Sequence, residues 1–291
     1  MFAQAGEDAE LAAALRVKGQ LLRDLGHAEE ATTAFEASID AAVSAGDRWQ
    51  EGMSRNFLAT ALVYEPAPVA SAIAACEEHL ALVRWGSPGP IGLWASLGEL
   101  LFQSGRLEEG RELVLKAQEA CREAGIPGTL VYCLLAYARL DFMLGAHVAA
   151  EPQLREACEI VESLGQRGGL CVAEAELACA IGHRDAVEAE RLAKAACHLA
   201  AEDDFTAQVG WRRAVGRAPT GVGQKLLEEA AAICAGSDFL NLHAATLEDL
   251  ANARHDVGDV DGASAALNDA LDLYERKGNV ICAVRVREAL G

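Results

Sequence analysis

At 291 residues the chain is near the size at which one compact core stops growing, whereas a stack of repeats reaches this length without dividing. Its 25 Lys+Arg against 44 Asp+Glu leave a formal charge of −19, which opposes a phosphate backbone or an anionic membrane surface as a direct partner. The apolar residues are mostly Ala and Leu, and charge interrupts almost every apolar run, so no stretch approaches the roughly 20 residues of a membrane span. The opening MFAQAGEDAELAAAL has acids where a secretory signal has bases, and it predicts a cytoplasmic protein. Nine cysteines form no CxxC pair and mostly sit beside Ala or Leu at helical spacing, as reduced core thiols do.

Taken in order, the chain reads as a succession of helical pairs. The first unit, residues 10–47, places Leu15, Gly19 and Leu22 on one helical face and ends that helix at Gly26; Ala31 and Phe35 then set a small and a large residue against it. The second, 49–85, turns at Glu65-Pro66-Ala67-Pro68, where two prolines stop one helix and suit the start of the next. The breaker Gly86-Ser87-Pro88-Gly89-Pro90 precedes the third unit, 91–125, which is the clearest. There Trp94, Leu97 and Leu101 recur every three or four residues, Gly98 admits a close neighbour, and Gly105 ends the helix before Leu107, Val114 and Ala117 turn inward. Trp94 is expected in the core.

The fourth unit, 129–165, carries Leu134, Tyr137 and Ala138 before Leu144-Gly145, then Ala150, Leu154 and Ala157. The fifth, 169–201, turns at Ile181-Gly182. The sixth, 205–236, is irregular, because Gly216, Pro219, Gly221 and Gly223 cut its first helix short and put its turn at about Ala218. The seventh, 239–277, regains the pattern with Leu247, Leu250 and Ala251, then Gly258, then Ala263, Leu267 and Ala270; a last helix, 280–290, caps the stack. Neither helix of such a pair buries its stripe alone. The predicted fold is therefore all-α, a right-handed superhelix of about seven antiparallel hairpins in one domain, 1–291, with a period of about 39 residues against the roughly 34 of tetratricopeptide repeats.

Three segments are the most specific: Pro66-x-Pro68-Val69-x2-Ala72-Ile73-x2-Cys76-Glu77, Ser104-Gly105-Arg106-Leu107-x-Glu109, and Leu273-Tyr274-Glu275-Arg276-Lys277-Gly278-Asn279 before Ala283. With the repeat pattern they resemble the tetratricopeptide-like C-terminal region of actinobacterial-type multidomain proteins that join an adenylate/guanylate cyclase domain, or another output domain, to an AAA-type ATPase. The resemblance implies a non-enzymatic sensor or regulatory arm in cytoplasmic signal transduction. Its partners would be proteins or peptides, among them upstream ATPase or cyclase domains. The chain itself carries no GxxxxGK[ST] phosphate loop. The alternative is a stand-alone sensor that holds a peptide or small molecule in its concave groove.

Such a groove is built from first-helix positions that do not pack into the stack. By register these include Arg16, Gln20 and Arg23; Glu99, Phe102 and Gln103; Tyr132, Arg139 and Phe142; and Glu248, Asn252 and His255. The candidate interaction surface is the middle group, Glu99, Phe102, Gln103, Tyr132, Arg139 and Phe142, because Phe102 and Phe142 occupy equivalent positions in adjacent units and would form an apolar strip flanked by Glu99 and Arg139. The competing reading is that both phenylalanines tuck between hairpins as packing. Cys76 and His79 lie three residues apart but no second such pair joins them, and no histidine has a nucleophile at diagnostic spacing, so no metal, cofactor or catalytic group is expected. Arg276 and Lys277 read as favourable charges at the C-terminus of their own helix, with Gly278 as its stop.

Overall fold

The computed structural model describes residues 2–83, 89–217 and 222–291. These form fifteen α-helices and, among the described residues, no strand. The helices pair as α1 (Phe2–Asp24) with α2 (Ala28–Ala45), α3 (Arg48–Tyr64) with α4 (Val69–Leu82), α5 (Ile91–Gln103) with α6 (Leu107–Ala124), and α7 (Pro127–Met143) with α8 (His147–Ser163). There follow α9 (Arg167–Ile181) with α10 (Ala186–Leu199), α11 (Phe205–Gly216) with α12 (Gly223–Ala235), α13 (Leu240–Asp256) with α14 (Val260–Lys277), and α15 (Val280–Leu290). The odd-numbered helices line the inside of a right-handed superhelix and the even-numbered ones its outside. The first part of the breaker 86–90, the turn at about Ala218, and Pro219 and Gly221 fall outside the described residues.

Local chemistry accounts for the hairpins. Gly26, Gly105, Gly145 and Gly258 each follow a first helix in the left-handed conformation, where a Cβ would be strained. Gly182 differs: it stays right-handed at φ −55°, and Asp185 starts α10 by accepting from the Glu188 N–H at 2.9 Å. Within the third hairpin the helices nearly touch backbone to backbone. A Cβ on Gly98 would stand 2.7 Å from the Gly110 carbonyl oxygen, and one on Gly110 2.5 Å from that of Gly98. In the first hairpin Gly19 lies against the ring of Phe35, which is fully buried beside Ala31.

Trp94 is only half-buried, so its place in the core is corrected: it packs on the rim of the third and fourth hairpins with the Lys116 ammonium 3.9 Å above its ring. The large side chains that are fully buried are instead Phe35, Phe102, Phe239 and Tyr274.

The superhelix returns on itself, so that its last helices meet its first. Asp238, just before α13, accepts from the Ala28 and Glu29 N–H groups at 2.8 Å each and so caps α2, whose own first residues offer no side-chain cap. Lys277, at the end of α14, is completely buried and donates to the carbonyls of Leu62, Glu65 and Ala67 at 3.2, 2.7 and 2.9 Å. The expectation that Lys277 serves its own helix end is thereby corrected: it serves the end of α3, where three acceptors had no intrahelical partner. On α15, Arg285 donates to the carbonyls of Phe142 and Met143, both at 2.7 Å, and so closes the end of α7.

Candidate functional site: a central cavity

Because the eight odd-numbered helices curve around one axis and the last of them meet the start of the chain, they line a partly open cavity of about 520 Å³. This is within the range of ligand pockets. Its wall takes residues from every odd-numbered helix, from Arg23 and Tyr64 through Glu99, Arg139 and Glu176 to Arg213, Glu248 and Arg285.

The wall carries a row of alternating charge. Glu99, Arg139 and Glu176 each stand six residues before the glycine of their turn, Gly105, Gly145 and Gly182, so successive hairpins present them at one level. Arg213 and Asp249 continue the alternation on α11 and α13. Arg139 holds Glu99 in a two-point bond, Nε to Oε1 at 3.0 Å and Nη2 to Oε2 at 2.9 Å, between the rings of Tyr64 and Tyr132, each 5.9 Å from its guanidinium carbon. Burial works most strongly against that charge, but Glu99, Tyr64 and Glu176 together hold the Arg139 pKa well above its ordinary value. At the other end Arg213 donates to Asp249 Oδ2 at 2.8 Å, and Arg217 lies 3.4 Å from Oδ1.

Glu176 stands between these two clusters without a bond to either. Its Oε2 is shut off from solvent and has no hydrogen-bond partner among the described residues. Burial raises its pKa to about 7, although Arg139 and Arg213 pull the other way.

A second polar arc closes the cavity. Arg285 binds both oxygens of Glu248, at 2.6 and 2.8 Å, and the Tyr274 hydroxyl donates to Glu248 Oε1 at 2.6 Å. Asn279 donates to Asn241, which donates to Gln103. His147 lies against Phe142 with ring centroids 5.2 Å apart. Burial, then the nearby Arg217, lowers the His147 pKa to about 4, so the ring is neutral near pH 7, and its Nδ1 has no partner. Tyr64 stacks on Phe239 at 4.7 Å, which joins the start of the chain to its end across the wall.

Of the six residues expected to form the interaction surface, Glu99, Tyr132, Arg139 and Phe142 line the cavity, and Phe102 and Gln103 do not. Phe102 is fully buried in a cluster with Val114, Leu140, Leu240, Ala244 and Val286, because the returning C-terminal helices cover the face of α5 that would otherwise be concave surface. The apolar strip of Phe102 and Phe142 is therefore corrected: the first is packing and only the second faces the cavity. Gln103 is likewise buried and accepts from Asn241 at 3.0 Å. Of the outer positions, Arg23, Glu248 and Asn252 reach the wall, whereas Arg16 lies between Gln50 and the rings of Trp49 and Phe57. Sequence reasoning missed Glu176, Arg213, Arg217, His147 and Arg285. The common offset of Glu99, Arg139 and Glu176 from their turn glycines is the signal that could have found Glu176.

Among the described residues, no three or more His, Cys, Asp and Glu side chains converge as a metal site, and no helix is long and apolar enough to cross a membrane.

Comparison with known proteins agrees with this architecture. A family described as Tetratricopeptide repeat matches residues 91–163, the third and fourth hairpins. No curated protein matches the chain. Among solved structures the chain is similar to a Rap protein complexed with Competence and Sporulation Factor, at 13% identity and a TM-score of 0.71, over 95% of this chain and 74% of that one. It is similar to the apo form of RapI, at 13% identity and a TM-score of 0.63, over 91% of this chain and 98% of the other. It is also similar to NprR in complex with its cognate peptide NprX, at 13% identity and a TM-score of 0.60, over 95% of this chain and 83% of that one. The likeness is one of fold, a tetratricopeptide-like superhelix.

Proposed function

We propose that the chain is a non-enzymatic regulatory sensor that takes a short peptide into its central cavity and passes its occupancy to a protein partner. The observation that carries the reading is the cavity itself, to which every hairpin contributes and which is lined by aromatic rings beside polar groups of both signs. A peptide offers what such a wall can use: backbone donors and acceptors along its length, with charge at its ends and side chains. A flat partner surface cannot enter the ring. Two of the structures of similar fold were determined with a bound factor or cognate peptide, which supports the same reading. The Tyr274 hydroxyl bonds a Glu248 carboxylate that Arg285 holds at both oxygens, and His147 on the wall has Phe142 beside it and no partner at Nδ1.

The finer reading, in which this superhelix is the regulatory arm of a cyclase or AAA-type ATPase protein in the cytoplasm, rests on the sequence resemblance alone. It is compatible with a peptide sensor, because a ligand that tightens the ring changes the outer helices that a covalent neighbour would meet.

The test passes the short-peptide fraction of a cell extract over the immobilised full chain, synthesises what is eluted, and titrates it by calorimetry. A dissociation constant of about 10 μM or tighter is expected. It should be lost in Ala245→Trp, which puts an indole on a partly exposed position of the cavity wall, provided that variant melts within a few degrees of wild type. Equal binding by the filled variant, or no retained peptide, refutes the proposal.

A further inference from the structure

The charge row on the cavity wall is incomplete at its centre. Arg139 gives the Nε–Nη2 edge of its guanidinium to Glu99, and Arg213 and Arg217 converge on Asp249, so the rungs above and below Glu176 already hold ion pairs of their own. Arg285 is taken by Glu248 and by two carbonyls of α7, and Arg23 by Asp24. No guanidinium of the wall within the described residues stands within 4.0 Å of the Glu176 carboxylate, and its Oε2 has no donor, while the residue as a whole is only partly buried and lines the cavity. The frame leaves this group under-compensated, and burial raises its pKa against the pull of Arg139 and Arg213. A buried carboxylate of that kind lowers the stability of the empty protein. The cavity is the open side of this group, because Glu176 lines it, while Ala173, Ala175, Ala178 and Ala180 beside it on α9 offer no polar side-chain atom.

We infer that Glu176 is the seat for a cationic group of the bound peptide, an ammonium or guanidinium that completes the alternating row between the Arg139–Glu99 and Arg213–Asp249 pairs. This rests on the peptide reading above and names the chemistry of its ligand. The groups that face the seat are Glu99 from α5, Arg139 from α7 and Arg213 from α11; Arg139 is matched by Glu99, whereas Arg213 shares the one carboxylate of Asp249 with Arg217. An incoming cation would bond Glu176 directly, with neither of these pairs having to open. The same chemistry is supplied by a free α-amino terminus or by a Lys or Arg side chain.

The experiment uses the full chain and three pools of short random peptides, all amidated at the C-terminus. The first has free amino termini and no Lys or Arg; the second is acetylated and contains Lys and Arg; the third is acetylated and contains neither. Retention on wild type and on Glu176→Gln is read by mass spectrometry at pH 8. The first or second pool should be retained about tenfold or more over the third, as one charge-assisted hydrogen bond supplies, and which of the two is retained identifies the source of the cation. In Glu176→Gln, whose amide keeps the shape and drops the charge, that preference should collapse to within about twofold while the far-ultraviolet circular dichroism is unchanged. Retention of all three pools alike, or an unaltered preference in Glu176→Gln, overturns the cation seat and leaves the peptide reading standing. Retention of none by wild type overturns both.

Discussion

A carboxylate held in a cavity without a partner lowers stability by an amount that depends on pH, and Glu176 makes this measurable. Its pKa is about 7 in the folded chain against the ordinary 4.5. Below the ordinary value it is protonated in both states and contributes no penalty. As pH rises towards 7 the unfolded chain releases the proton while the folded chain keeps it, so stability falls, and above 7 the full penalty of about 3 kcal/mol applies. Glu176→Gln should therefore match wild type near pH 4.5 and exceed it by about 3 kcal/mol at pH 8 in urea unfolding. A variant less stable than wild type at pH 8 would show that the frame satisfies the carboxylate after all. The two aromatic positions differ in the same terms. Phe102→Ala empties a fully buried site and is expected to cost about 3–5 kcal/mol, while Trp94→Ala, on a half-open rim, should cost about 1–2 kcal/mol; the thermal midpoints should rank accordingly.

At the scale of the element, the hairpins depend on small residues where two helices approach and on caps where they end. Gly98→Ala puts a methyl 2.7 Å from the Gly110 carbonyl, backbone that cannot swing aside, so α5 and α6 must separate. A loss of about 1–3 kcal/mol is expected by chemical unfolding, whereas Gly46→Ala meets no atom within 4 Å and tests only its left-handed backbone. Asp238 and Lys277 cap elements more than 200 positions away in sequence. Removing the first cap, Asp238→Ala, should cost about 1–2 kcal/mol, and Lys277→Met, which leaves three carbonyls without their donor, about 3 kcal/mol.

For the whole molecule, those two contacts close the same ring. Asp238 ties the turn before α13 to α2, and Lys277 ties the end of α14 to the end of α3, so opening one joint relieves the other. Their double variant should therefore lose less stability than the sum of the singles, by about 0.5 kcal/mol or more, and hydrogen exchange should rise in α13 to α15 in either single variant. Strict additivity would mean that the joints open independently and that the superhelix is an open spiral in solution. A peptide that spans the cavity bonds both sides of this closure, so its binding should suppress the same exchange, and at a hundredfold excess over its dissociation constant it should add about 2.7 kcal/mol of stability. Closure is thus the property through which an internal ligand reaches the outer helices.

The all-helical fold follows from signals that lie within one or two turns of chain. Leu97 and Leu101 on one face, Gly98 between them and Gly105 after them specify a helix, its buried side, its close neighbour and its end without reference to anything distant. Repetition of such units leaves stacking as the only way to bury their stripes. Part of the cavity was legible for the same reason: Glu99, Tyr132, Arg139 and Phe142 occupy inner-helix positions that the repeat itself defines. Tertiary structure alone decided the rest, because the return of the chain onto its start depends on superhelical pitch summed over seven hairpins, which no local pattern records. That return buried Phe102 and Gln103, sent Lys277 to a distant helix end, and converted a concave face into a cavity with walls from both ends of the chain. It also left Glu176, one glutamate among many in the sequence, as the open charge at the centre of the row.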